Sequence, residues 1–131
     1  MTPEELIQTA RKAMGNAHAP YSGYKVGAAL LGGDGTVHAG CNVENASYGL
    51  SNCAERTAVF TAIADGSKTF KAIAIAASEA PAPHPCGACR QVLAEFCPPE
   101  MPVYIAEGDG YNTVTLGELL PHAFERKESH A

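Results

Sequence analysis

Two short segments, 53–55 and 85–89, hold the residue types whose spacing most clearly could do chemistry. The first reads Cys-Ala-Glu and the second Pro-Cys-Gly-Ala-Cys. Each is predicted to begin a helix, and because helical side chains lean toward the N-terminus, Cys53 and Glu55 can both project past the helix end. Cys86 and Cys89 are three residues apart and share a helix face. Two such helix starts brought together would present three thiols and one carboxyl group to a single point.

Three thiols at one point predict a zinc site of the catalytic kind. The thiolate is the form that binds metal, and helix N-termini favour negatively charged sulfur. Three thiolates around Zn²⁺ leave the fourth tetrahedral position for water, whereas structural zinc sites are closed by four protein ligands. Such a centre carries a net negative charge, so we expect Arg56, and more weakly Gln91, to donate to it as a second shell. One zinc ion per chain is expected.

The elements that must position these segments begin with a helix and a hairpin. Thr2, Pro3 and Glu5 form a capping-box pattern that predicts a helix to about residue 17. Asn52 is predicted to cap the helix that carries Glu55. The predicted strands are 25–31, 36–43, 71–77, 102–106 and 113–115, and the later helices are 53–65, 86–96 and a short one opened by a capping box at 115–118.

Each cysteine-bearing helix follows a predicted strand and precedes another. This arrangement favours parallel strands around both helices, with helices on both faces of the sheet. We therefore expect an α/β fold, a three-layer α-β-α sandwich whose central sheet is mixed, mostly parallel and made of about five strands.

Length and composition limit the classes of protein that need to be considered. The chain has 131 residues with 46% hydrophobic and 18% charged, which predicts a single domain over 1–131. A net charge of −5 disfavours nucleic acid as a partner. The longest apolar runs are too short to cross a membrane, and residues 1–20 lack a signal-peptide pattern. Five cysteines, an odd number, favour metal binding or catalysis over disulfides, and the expected location is the cytoplasm.

Almost the whole chain resembles the small, homotetrameric, zinc-dependent type of the cytidine and deoxycytidylate deaminase family. The zinc pattern of these enzymes pairs three His or Cys ligands with a glutamate that is not a ligand. The resemblance extends over segments 20–22, 26–30, 40–48, 53–58, 85–91 and 119–124, and segment 42–48 narrows the substrate to a nucleoside. Two positions depart from the family pattern: Tyr24 stands where phenylalanine is commoner, and His84 where a small residue is more usual.

The resemblance implies hydrolysis of cytidine and 2′-deoxycytidine to the uridine nucleosides and ammonia, a step of pyrimidine salvage. In this reading Glu55 is the catalytic residue and moves protons between water and the base. Asn42 and Glu44 would bind the sugar hydroxyls, and Tyr24 would pack beside the nucleoside. The remaining substrate-binding positions implied are Ala54 and, across interfaces of a homotetramer with shared sites, Ala46, Tyr48 and Phe124.

Two other interpretations of the same residues remain open at this point. A noncatalytic binding module held together by zinc would need a fourth protein ligand, for which the sequence offers only His84. A deaminase could also act on another amine, such as a nucleoside antibiotic, a free base or a base in RNA. The acidic charge balance argues against RNA, and the pair Asn42 and Glu44 argues against a base without a sugar.

Overall fold

The computed structural model describes residues 1–80 and 82–126, and within them it has four α-helices and five strands. In chain order these are α1 Pro3–Met14, β1 Val26–Gly32, β2 Val37–Cys41, α2 Ala54–Ala64, β3 Phe70–Ala77, α3 Gly87–Phe96, β4 Pro102–Glu107, β5 Gly110–Thr115 and α4 Leu116–Leu119. Most bounds lie within one or two residues of the predicted ones. The first helix is shorter than predicted and the last strand longer.

Both predicted capping boxes form. Thr2 and Glu5 cap α1, and Thr115 and Glu118 cap α4, each by reciprocal side-chain-to-backbone hydrogen bonds. The prediction that Asn52 caps α2 is wrong, since the N-cap residue is Cys53. The backbone of Asn52 instead exchanges two hydrogen bonds with Val43, so the residue belongs to an isolated β-bridge before the helix.

The five strands form one mixed sheet in the order β2-β1-β3-β4-β5. The expectation of a mixed sheet between helices is confirmed, but the expectation that it is mostly parallel is wrong. Only β3 and β4 pair in parallel, while β1–β2, β1–β3 and β4–β5 pair antiparallel. The reason is that β1 lies between β2 and β3, and a tight turn joins β4 to β5. Because β1 is antiparallel to both neighbours, β2 and β3 still run in the same direction, as does β4.

Helices cover both faces of this sheet, and glycines let two of them approach closely. A Cβ atom on Gly27 of β1 would lie 2.0 Å from the carbonyl oxygen of Ala10, so α1 packs directly on the backbone of that strand. The cross-strand partners Ala28 and Gly40 face the opposite side, where α2 lies. Between these layers the buried core is rich in alanine, with isoleucine and leucine from β1 and β3.

Helix α2 is also fixed to β2 at its C-terminal end. The buried ring of His38 lies 3.3 Å from a carboxylate oxygen of Asp65 through Nδ1 and 2.9 Å from the Ser67 hydroxyl through Nε2. Asp65 is the C-cap residue of α2. A buried polar ring with partners on both nitrogens is satisfied, so His38 ties the strand to the end of the helix.

Within the described ranges, the helices are all too short or too polar to cross a lipid bilayer.

Candidate active site

The three cysteines of the two motifs meet where α2 and α3 begin. Cys53 is the N-cap residue of α2, Cys86 is the N-cap residue of α3, and Cys89 lies in the first turn of α3. The preceding strands β2 and β3 run in the same direction, so both connections leave the sheet at the same edge. The three Sγ atoms lie within 4.8 Å of one another. The predicted convergence of the two helix starts is confirmed.

The spacing of these sulfur atoms fits a tetrahedral zinc ion. Sγ of Cys86 lies 3.8 Å from Sγ of Cys53 and 3.5 Å from Sγ of Cys89. With Zn–S bonds of about 2.3 Å and tetrahedral angles, bound sulfurs would be roughly 3.8 Å apart. A disulfide would bring two of them to about 2.05 Å, and all five cysteines are free thiols. The residues present therefore fit Zn²⁺ as the cofactor.

The metal-binding group found among the described residues comprises these three cysteines, and His84 is not part of it. His84 is exposed and lies in the wall of the adjacent cavity. The closed four-ligand site that a noncatalytic zinc module requires is therefore not formed by the described part of the chain. Three sulfurs leave one coordination position for water or substrate.

Hydrogen bonds around the sulfurs favour negative charge on Cys53. Arg56, one turn further along α2, donates from Nη2 to its Sγ at 3.3 Å. Hydrogen bonds from Cys89 and Arg56 lower the pKa of Cys53 to about 5. The pKa of Cys89 is raised, chiefly because its thiol donates to Cys53 and because it is buried. Gln91 is directed elsewhere and donates to the carbonyl oxygen of Phe124 at 3.2 Å.

Glu55 supplies a buried carboxyl group beside the sulfurs. It is the second residue of α2 and only 4% exposed, yet it lines the cavity into which Cys53 and Cys86 also open. Burial raises the pKa of Glu55 to about 7. A carboxyl group that titrates near neutral pH can both accept and return a proton, which is the property required of a general acid and base.

The cavity has a volume of about 510 Å³, enough for a nucleoside-sized molecule. Besides the metal-site residues, it is lined by five of the positions singled out from the sequence, namely Tyr24, Asn42, Glu44, Tyr48 and Ala54. Neither Ala46 nor Phe124 lines it, although both are described. Phe124 is 70% exposed and Tyr48 is 87% exposed. The single chain therefore brings Tyr24, Asn42 and Glu44 to the same cavity as the metal-site residues and leaves the rings of Tyr48 and Phe124 open to solvent.

Asn42 is held by backbone groups of the segment that leads into β1. Its Nδ2 donates to the carbonyl oxygen of Tyr24 at 2.8 Å, and its Oδ1 accepts from the amide of Val26 at 2.8 Å. One amide hydrogen and one oxygen lone pair remain for other partners.

Sequence reasoning missed the residues that hold Glu44. Its carboxylate accepts hydrogen bonds from the backbone amides of Tyr21 and Ser22 and from the Ser22 hydroxyl. The segment Pro20-Tyr21-Ser22 belongs to the family resemblance, but a contact across more than twenty residues leaves no periodic signal in the sequence. Pro83 and Asn52 were likewise not predicted to line the cavity.

Comparison with known proteins gives consistent results. The model of the family described as "Cytidine and deoxycytidylate deaminase zinc-binding region" matches residues 1–105. The chain is 51% identical to a cytidine deaminase of Sporosarcina psychrophila over 130 residues, which cover 98% of this chain and 95% of that protein. It is 50% identical to a cytidine deaminase of Halalkalibacterium halodurans, with 98% of each chain covered.

Solved structures agree with the sequence comparisons. The fold superimposes on the crystal structure of a cytidine deaminase from Burkholderia pseudomallei with a TM-score of 0.90 and 50% identity, covering 95% of this chain and all of that one. A cytidine deaminase from Mycobacterium tuberculosis gives a TM-score of 0.83 at 40% identity, with 96% and 99% of the two chains covered.

Proposed function

The chain belongs to the cytidine and deoxycytidylate deaminase family, and from that premise we propose that it is a zinc-dependent hydrolase that converts cytidine and 2′-deoxycytidine to uridine and 2′-deoxyuridine. The reaction replaces the amino group on C4 of the base with the oxygen of a water molecule and releases ammonia. The observation that carries this proposal is that Cys53 and Cys86 of the three-sulfur cluster and the buried Glu55 carboxyl group open into one nucleoside-sized cavity.

Cys53, Cys86 and Cys89 would hold the zinc ion. Bound there, Zn²⁺ supplies Lewis acidity, which makes water a competent nucleophile near neutral pH. The three sulfurs are negatively charged as ligands, and Arg56 offsets part of that charge through its hydrogen bond to Cys53.

Glu55 is proposed to move the protons of the reaction. Its carboxylate takes a proton from the attacking water and delivers it to N3 of the base. It then moves the proton of the new C4 hydroxyl group to the amino group, so that the C4–N bond breaks, ammonia leaves and C4 becomes the carbonyl carbon of the uridine base. Its burial supports this role, because a carboxyl group whose pKa is raised to about 7 exchanges protons readily at neutral pH. A single positioned acid or base of this kind typically contributes a factor of ~10²–10⁴ in rate.

Asn42 and Glu44 are proposed to bind the sugar, with Tyr24 packing beside the nucleoside. All three line the cavity. An amide and a carboxylate side by side can satisfy the hydroxyl groups of a sugar, and a site built this way discriminates against a free base that lacks them. Ala54 lies in the same wall and is proposed to contact the substrate as well.

The working form is proposed to be a homotetramer whose neighbouring subunits complete each site through Ala46, Tyr48 and Phe124. Support comes from large apolar side chains that a single chain leaves exposed: Tyr48 at 87%, Leu50 at 71% and Phe124 at 70%. A role in pyrimidine salvage follows from the choice of free nucleosides as substrates. Five free thiols support location in the reducing cytoplasm.

The direct test is to incubate the purified protein with cytidine, deoxycytidine, cytosine and adenosine while ammonia release is followed. Cytidine and deoxycytidine should release ammonia, and cytosine and adenosine should not. The Glu55→Gln variant serves as the matched control for contaminating activity. Ammonia from cytosine at a rate equal to that from cytidine would contradict the assignment of a nucleoside substrate, and none from cytidine would contradict the reaction.

A further inference from the structure

The Glu44 carboxylate is held by three hydrogen bonds from one short turn between α1 and β1. The backbone amides of Tyr21 and Ser22 donate to Oε1 at 3.0 and 3.1 Å, and the Ser22 hydroxyl donates to Oε2 at 2.5 Å. The turn is closed by Gly23, whose amide donates to the carbonyl oxygen of Ala19 and whose φ of 69° is a conformation that glycine adopts without strain.

The direction of the Ser22 hydroxyl is itself fixed. Its oxygen accepts a hydrogen bond from the backbone amide of Tyr24 at 3.0 Å, so its own proton is directed to Glu44. Both Ser22 and Glu44 line the cavity. The serine therefore connects the Glu44 carboxylate to the segment before β1 that carries Tyr24.

Counting lone pairs shows what this arrangement leaves for a ligand. A carboxylate has about four acceptor positions, two on each oxygen. Oε1 of Glu44 already accepts two amide hydrogens, and Oε2 accepts one hydrogen from Ser22. The remaining lone pair is on Oε2. The carboxylate can thus accept one further hydrogen bond, and the turn fixes which oxygen accepts it.

We propose that Ser22 is a positioning residue for sugar recognition, which holds Glu44 so that the free lone pair of Oε2 receives the hydrogen of a 2′ or 3′ hydroxyl group of the nucleoside sugar. This inference rests on the proposed function. Hydrogen bonds from Ser22 and from the amides of residues 21 and 22 also lower the pKa of Glu44, so the carboxylate is an anion and a strong acceptor near neutral pH.

A substrate that lacks the 2′ and 3′ hydroxyl groups of the sugar separates this role from a general structural one. Steady-state constants would be measured for cytidine and for 2′,3′-dideoxycytidine, with wild type, Ser22→Ala, the conservative Ser22→Thr and the control Ser78→Ala. Ser78 is a matched control because its hydroxyl accepts from the backbone amide of Lys25, at the end of the same segment. Among the described residues, the hydrogen bonds found to the Glu44 carboxylate come from Tyr21 and Ser22, and neither Ser78 nor Lys25 contributes one.

Ser22→Ala should raise KM for cytidine about tenfold, because the variant loses a hydrogen bond to the charged group that binds the sugar. It should change kcat by less than about twofold, because that hydrogen bond supports substrate binding and not the chemical step. The constants for dideoxycytidine should stay within about twofold of wild type. Ser22→Thr should restore most of the affinity for cytidine, and Ser78→Ala should behave as wild type. An equal loss for both substrates, or no loss for cytidine, would overturn the inference while leaving the proposed reaction intact.

A double-mutant cycle tests whether Ser22 acts through Glu44. Glu44→Gln removes the charge that Ser22 is proposed to hold, so adding Ser22→Ala to that variant should raise KM for cytidine much less than it does in wild type. Additive effects of the two changes would overturn the inference. Wild-type protein that leaves cytidine unchanged would overturn the proposed function and this inference with it.

Discussion

A Cβ atom on Gly40 would lie 2.6 Å from the carbonyl oxygen of Ala54, the first residue of α2. The backbone of strand β2 thus touches the first turn of the helix that carries Cys53 and Glu55. Real Cβ atoms do not approach backbone oxygens so closely, so any larger residue at position 40 must move the helix start. The positions of Cys53 and of the Glu55 carboxyl group relative to the sheet therefore depend on the absence of a side chain at Gly40.

Gly40→Ala should impair both stability and activity. Overfilling a packed interior typically costs about 1–3 kcal/mol, and a displacement of about 1 Å at a catalytic group can cost about 10²-fold in rate. We expect a lower melting temperature and a fall in kcat/KM of at least about tenfold at temperatures where the variant is folded. The control is Gly110→Ala, whose new methyl group would make ordinary contact at 3.8 Å. Full activity in Gly40→Ala would show that α2 tolerates displacement.

Glu55→Gln should keep the metal and lose turnover. The amide has the shape of the carboxyl group but cannot carry protons, so the expected fall in kcat is at least about 10²–10⁴-fold. Zinc content by atomic absorption should stay at one ion per chain, because the three sulfurs are untouched. Loss of zinc together with activity would instead indicate that Glu55 supports the ligand geometry.

Removal of the metal should loosen the fold. Structural zinc in small domains contributes an apparent ~10–16 kcal/mol, comparable with the net stability of a whole domain. Here the ion would join the starts of α2 and α3, which the chain separates by β3. The melting temperature should fall by more than about 10 °C after chelation and recover on adding Zn²⁺. Unchanged melting after verified removal would count against a stabilising role.

Two inactive variants should restore activity when mixed, if neighbouring subunits share sites. Phe124 is 70% exposed and does not line the cavity of its own chain, so Phe124→Ala is expected to lower activity through an adjacent site. Oligomers that combine Phe124→Ala with Glu55→Gln subunits would contain some sites with both intact residues. Partial recovery of turnover after co-refolding is expected, and its absence in confirmed mixed oligomers would argue for sites confined to one chain.

Cys97 should resist alkylation in the native protein. Burial raises the pKa of Cys97 to about 12, and the thiolate is the reactive form, so at pH 8 only about one molecule in ten thousand carries it. Iodoacetamide labelling followed by peptide mass spectrometry should modify Cys97 only after denaturation. A Cys97→Ser variant identifies the labelled peptide. Rapid labelling under native conditions would show that the C-terminal end of α3 opens readily.

The parts of the site that sequence reasoning predicted depend on local geometry. Arg56 follows Cys53 by three residues, so both lie on the same side of α2, and the expected hydrogen bond forms. Gln91 follows Cys89 by two residues and therefore points away from the sulfurs, which explains why it contacts Phe124 instead. Spacing along a helix distinguishes the two positions.

Features that depend on pairing distant segments were not predicted. The alternation of helices and strands is equally consistent with β1 at the edge of the sheet or between β2 and β3, so the number of parallel pairs could not be derived from it. The contact between Ser22 and Glu44 depends on the path of an irregular turn. The sequence shows a glycine at position 40, but the need for a residue without a side chain there follows only from the structure, in which α2 crosses β2 at that residue.

In the sequence, Cys53 precedes strand β3, whereas Cys86 and Cys89 follow it. The three zinc ligands therefore become available at different times during synthesis. During synthesis, a ribosome must have released residue 89 before the third ligand is present, and by then the hairpin, α2 and the middle strand have all emerged. Before that point the nascent chain can offer at most two of the three ligands, Cys53 and Cys86, and would hold the ion weakly. Full coordination of a zinc ion would therefore require that both helix starts have come together.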